Sequence, residues 1–136
     1  MGHYEAFSDA GPETIWPLLA CPPRWHEWTP HVRGAWGLGW PQVREGAVGA
    51  VRLLGVVPVP AQITAVDPGR SWSWRVAGLA SVEHLVEPTP GGSRVTMTLD
   101  APGPLGRALD AAYGPVVQAL TEHLARVAED EAADGM

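Results

Sequence analysis

The chain has 136 residues, 46% of them hydrophobic and 18% charged, with a formal net charge of −6; this is the composition of one globular domain, long enough to bury roughly 68% of the surface its unfolded chain would expose. All nine basic residues are arginine and stand singly along an acidic chain, which excludes the basic stripe that a phosphate backbone needs and, with no lysine present, excludes Schiff-base chemistry. No apolar run is long enough to span a bilayer, and Cys21, the only cysteine, excludes an internal disulfide and a cysteine-rich metal site.

The opening segment Met1-Gly2-His3-Tyr4-Glu5-Ala6-Phe7 has neither the basic region nor the apolar stretch of a secretion signal, so a cytoplasmic location is expected. His3 to Phe7 read as a short strand. Turn residues from Ser8 to Gly11 then lead to Pro12, which suits a first helical turn. Ile15, Trp16, Leu18 and Leu19 give the apolar face of a short helix whose length Pro17 limits, and a second short helix covers Pro23 to Trp28. After Thr29-Pro30 the pattern changes to β-prone segments separated by glycine and proline clusters. Strands are predicted at His31 to Trp36, Ala47 to Gly55, Val59 to Asp67, Ser71 to Ala77, Ala80 to Glu87 and Ser93 to Asp100. Asp67-Pro68-Gly69-Arg70 and Pro88-Thr89-Pro90-Gly91-Gly92 are strong turns.

From Pro104 the period becomes helical, with Leu105, Leu109, Tyr113, Val116, Leu120, Leu124 and Val127 recurring at three- and four-residue steps. Gly114-Pro115 predicts a kink, and the acidic run Glu129 to Asp134 predicts a solvated, fraying end. The order implies an α+β fold over residues 1–136: a curved antiparallel sheet of about seven strands wrapped around a long C-terminal helix, with two short helices after the first strand closing one end. A cavity between the concave face and the long helix is a usual place for a small-molecule site. A homodimer is compatible with this chain.

Several stretches in this order resemble the START-like, or SRPBCC, superfamily, most closely its polyketide cyclase/dehydrase and lipid-transport branch. They are Asp9-Ala10-Gly11-Pro12-Glu13-Thr14-Ile15-Trp16, Arg24-Trp25-His26-Glu27-Trp28-Thr29-Pro30 and Val66-Asp67-Pro68-Gly69-Arg70-Ser71-Trp72-Ser73-Trp74. Glu83-His84-Leu85-Val86-Glu87-Pro88 followed by Gly91-Gly92-Ser93-Arg94-Val95-Thr96 completes the likeness. The resemblance covers nearly the whole chain and implies a helix-grip fold. It does not fix a function, because similar domains transport lipids, bind hormones, cyclise polyketides or sense ligands.

Alternation along Ser71 to Ala77 sets Trp72, Trp74 and Val76 on one face, expected to look inward, and Ser71, Ser73 and Arg75 on the other. Each buried indole would stabilise by at most about 4 to 6 kcal/mol, so core packing and pocket lining both stay open. In the next strand Val82, His84 and Val86 share the inner face, while Glu83 and Glu87 face water. An imidazole among valines is either a core histidine satisfied by one partner or a polar group placed to meet a ligand. Tyr113, on the apolar helix face, is either a core residue or one whose hydroxyl reaches across the cavity. His84 and Tyr113 are the candidate catalytic residues, and Trp72, Trp74, Val82, Val95, Met97 and Leu109 the candidate ligand-binding wall. Gln62, Thr64, Thr96 and Thr98 are weaker polar candidates.

His26 and His31 have no evident third ligand, so no metal is expected. No Gly-x-Ser-x-Gly elbow occurs, and Gly37-Leu38-Gly39 lacks the rest of a dinucleotide fingerprint, so no cofactor is expected. Two functions fit a small hydrophobic organic ligand, polyketide-like or lipid-like. The resemblance implies a cofactor-independent cyclase or dehydratase, a lyase or isomerase in which His84 moves a proton. The other is a carrier or sensor in which His84 and Tyr113 only orient the ligand. An interaction domain with a filled core is a third.

Overall fold

Branched and aromatic residues alternate with small or polar ones between the turn clusters, and each such run becomes a strand. In chain order the elements are β1 (Gly2–Ser8), α1 (Pro12–Ala20), a 3-10 helix (Pro22–Glu27), β2 (Val32–Trp36), β3 (Val48–Leu53), β4 (Val57–Asp67), β5 (Ser71–Val76), β6 (Ala80–Thr89), β7 (Gly92–Asp100) and α2 (Gly103–Asp134). This computed structural model describes residues 2–29, 32–53 and 57–134, and the side chains at 32–34, 53, 57, 105, 109, 110 and 113 lie outside the description. Among the described residues, no helix is long and apolar enough to cross a membrane.

The strands form one curved sheet in the order β1-β7-β6-β5-β4-β3-β2, every pair antiparallel. Strands β2 to β7 follow one another as a meander, while β1 returns beside β7 and brings α2 with it: the long helix packs on β1, β7 and α1. This is the helix-grip arrangement expected. The sheet faces follow the period of two, with Trp72, His84, Val86, Val95, Met97 and Leu99 buried on the inner face and Arg75 and Glu83 exposed on the outer.

The sequence also explains how α1 joins this core. Pro22 and Pro23 stand where the donors for the Leu18 and Leu19 carbonyls would otherwise be, so the helix cannot satisfy either oxygen. Indole N–H groups do so instead. Trp28 Nε1 donates to the Leu18 carbonyl at 2.8 Å, and Trp25 and Trp72 Nε1 both donate to the Leu19 carbonyl at 3.0 Å. An irregular helix end thus becomes the anchor of the aromatic core.

The helix α2 continues through Gly114-Pro115 to Asp134, with Pro115 at an exposed position, and one expectation about it changes. The acidic tail is held rather than frayed, because Glu131 pairs with Arg24 of the 3-10 helix and Ala132 packs against the core. Gly114 has a packing reason of its own. A Cβ there would lie 2.6 Å from the Tyr4 hydroxyl oxygen and 3.2 Å from its ring. Gly114→Ala should therefore forfeit the roughly 1 kcal/mol that alanine normally contributes inside a helix and destabilise by about 1 to 2 kcal/mol, with Tyr4→Phe restoring part of the loss. Urea unfolding of the three variants checks this, and a stabilised Gly114→Ala protein would show that Tyr4 simply moves aside.

Candidate functional site

Strand register assembles the site. Trp72 lies opposite His84, His84 opposite Met97, and Met97 opposite Tyr4, so one row of inner-face residues crosses β5, β6, β7 and β1. A second row runs Trp74, Val82, Leu99, and a third joins Val86 to Val95. Six of the wall and catalytic candidates, Trp72, Trp74, Val82, His84, Val95 and Met97, are thereby on one surface. Val95, Met97, Trp72 and His84 are buried, while Trp74 and Val82 are half-buried. The side chains of Leu109 and Tyr113 lie outside the described residues, as does His31. Gln62 and Thr64 are exposed on β4, and Thr96 and Thr98 take the outward positions of β7, so these four turn away from the site.

The centre of the surface is an aromatic stack. The Trp72 ring stacks on His84 with centroids 3.9 Å apart and planes 13° apart, and on Trp25 from the other direction at 5.5 Å and 10°. Trp74 stands across this stack at 72° to Trp25, 80° to Trp72 and 71° to His84, with centroid distances of 5.5, 5.3 and 5.9 Å. Edge-to-face and offset contacts of this kind add about 0.5 to 1.5 kcal/mol per pair beyond area burial.

His84 Nδ1 lies 3.1 Å from the Trp72 carbonyl oxygen. A carbonyl only accepts, so Nδ1 carries the hydrogen, and in the neutral ring Nε2 is left with an unprotonated lone pair. Burial penalises the charged imidazolium more than the carbonyl contact favours it, and the pKa falls from 6.5 to about 4. At neutral pH His84 is a neutral acceptor. It is 5% exposed, and its stacked neighbour is 2% exposed. The polar groups around it are otherwise satisfied, since Trp25, Trp28 and Trp72 each donate to a carbonyl, whereas Trp74 Nε1 is buried with no hydrogen-bond partner.

Sequence reasoning missed two members. Trp25 is separated from Trp72 by 47 positions, and only the pair Pro22-Pro23 hinted that an indole would be drawn to the end of α1. Tyr4 shares its inward parity with Ala6 and Ser8, a legible signal, but its place beside Met97 depends on β1 pairing with β7. A depression of about 430 Å³ lined by Glu13, Thr14, Pro17, Arg24, Glu131 and Ala132 lies elsewhere, where α1 and the 3-10 helix meet the end of α2. Its ion-paired walls do not suit an apolar ligand, and it touches none of the stacked rings.

Several solved structures share this fold. Protein MLL2253 from Mesorhizobium loti superposes with a TM-score of 0.77 at 17% identity, over 93% of this chain and 94% of that one. Ara h 8.0201 gives 0.69 at 15%, over 93% and 95%. DynU16, from the dynemicin biosynthetic locus, gives 0.65 at 16%, over 88% of this chain and 45% of that one. Identities this low establish the fold alone. A search of curated proteins returned no match. Residues 3–129 match the family described as polyketide cyclase / dehydrase and lipid transport, and with that span covering almost all of the chain, the protein belongs to this family.

Proposed function

We propose that the inner surface around Trp72, Trp74, Val82, His84, Val95 and Met97 is a pocket for a hydrophobic organic molecule, polyketide-like or lipid-like. On this reading His84 is the group through which the protein promotes cofactor-free cyclisation or dehydration of that molecule. The family supports small-molecule binding. The carrying observation is the orientation of His84: one nitrogen is fixed by the Trp72 carbonyl, which leaves the other an acceptor among apolar rings. In the reaction this allows, Nε2 takes the proton from a carbon flanked by two carbonyls. The enolate carbon then bonds to a further carbonyl carbon of the same chain, the proton returns to the new alkoxide, and loss of the remaining proton from the attacking carbon together with the hydroxyl forms the double bond and releases water. Confinement supplies the orientation and the imidazole the proton transfer.

The second reading, a carrier or sensor, rests on the same histidine. A pKa of about 4 makes Nε2 a weak base at neutral pH, so catalysis requires the bound ligand to raise its basicity, whereas orienting a ligand requires only the lone pair. His84→Gln separates the two. With the molecule that native mass spectrometry finds co-purifying from the protein's own host, binding should survive the substitution. Turnover should fall on the order of 100-fold or more if His84 moves the proton. Parental turnover in His84→Gln would leave the carrier as the function.

A further inference from the structure

Buried polar atoms that a folded protein leaves unpaired mark either a standing cost or a place where something else completes them. The inner surface carries one such atom and, beside it, an acceptor of the complementary kind. Trp74 Nε1–H is a buried donor with no acceptor, and His84 Nε2 offers a lone pair, its ring partner Nδ1 being committed to the Trp72 carbonyl. The two rings are diagonal neighbours across β5 and β6 with centroids 5.9 Å apart, within the compass of one small functional group. Every other indole of this cluster donates to a carbonyl.

We propose that Trp74 Nε1–H and His84 Nε2 together hold one hydroxyl of the ligand, its O–H donating to Nε2 and its oxygen accepting from Nε1–H, so that the pocket selects a planar phenol or enol. The inference rests on the pocket proposed above and narrows its ligand class. A phenolic or enolic hydroxyl matches both atoms at once, whereas a ketone or ether offers only an acceptor and leaves the histidine unpaired. A carboxylate is disfavoured, because an anion brought into this surface would meet a neutral imidazole and, among the described residues of β5 to β7, no inward cation: Arg75 is exposed and Arg94 pairs with Glu87 at an outward position of β7. The rings set nearly at right angles give a flat conjugated ligand both faces and edges to pack on. An N–H directed at a neighbouring ring face would be the competing account of Trp74, and it predicts no preference for a hydroxyl.

The test uses 2-naphthol, 2-methoxynaphthalene and naphthalene-2-carboxylate as probes in titration calorimetry. The full chain should bind the naphthol about tenfold more tightly than its methyl ether, the factor expected of one net hydrogen bond. Trp74→Phe and His84→Leu should each shrink that ratio to within about threefold while leaving the ether's affinity comparatively unchanged. Equal binding of naphthol and ether by the parent, a ratio that persists in both variants, or a preference for the carboxylate would each overturn the hydroxyl assignment and leave the pocket standing. Failure of all three probes to bind would overturn the pocket itself.

Discussion

Trp72→Ala is expected to cost about 3 to 5 kcal/mol of unfolding free energy, the range for removing a large aromatic side chain from a packed core. Trp72 is 2% exposed and lies between His84 at 3.9 Å and Trp25 at 5.5 Å, so its removal unstacks both neighbours. The Leu19 carbonyl would keep one donor, since Trp25 Nε1 also reaches it at 3.0 Å. For that reason Trp72→Phe should be far milder, losing volume and one of two shared hydrogen bonds without leaving a carbonyl unpaired. Urea denaturation of the parent and both variants measures the difference, provided the slope of each transition is unchanged. If Trp72→Ala lost less than 1 kcal/mol, the stack would not be part of the core and the site described here would lack its frame.

Acid should weaken the protein through His84 specifically. Above about pH 6.5 the imidazole is neutral in both folded and unfolded chains and contributes no pH dependence. As pH falls below that value the unfolded chain takes up a proton, while the folded chain resists until about pH 4 because burial disfavours the charge. The unfolded state binds the extra proton, so stability declines by about 1.4 kcal/mol per pH unit through this window, on the order of 3 kcal/mol in all. His84→Gln has no proton to gain there. Its stability at pH 4 relative to pH 7 should therefore exceed that of the parent by that amount, the carboxylates contributing alike to both. Parallel stability curves for the two proteins between pH 7 and pH 4 would mean that His84 titrates normally and is open to water. A ligand that occupies Nε2 through a hydroxyl should bind equally well from pH 7 to about pH 5 and weaken as the pH approaches 4, where Nε2 takes up a proton.

Local chemistry alone determined the order of elements and much of the sheet. Proline and glycine clusters set the turns, the period of two set which side chains share a strand face, and the shift to helical spacing after Pro104 set the long helix. The same alternation put Trp72, Trp74, Val82 and His84 on a common face of adjoining strands, because parity is a property of the strand itself. Tertiary structure decided what could not be local. Trp25 meets Trp72 and Tyr4 meets Met97 only because α1 and β1 are brought to the sheet from distant parts of the chain. The acidic tail read as solvated from its run of carboxylates, yet folding delivers Arg24 to Glu131 across 107 positions. Gly114 and Pro115 read as a kink from composition, and the close approach of Tyr4, invisible in sequence, adds a packing reason for the glycine. The depressed basicity of His84 is likewise a property of the folded state, since the desolvation that causes it exists only once the surrounding strands and helices exclude water.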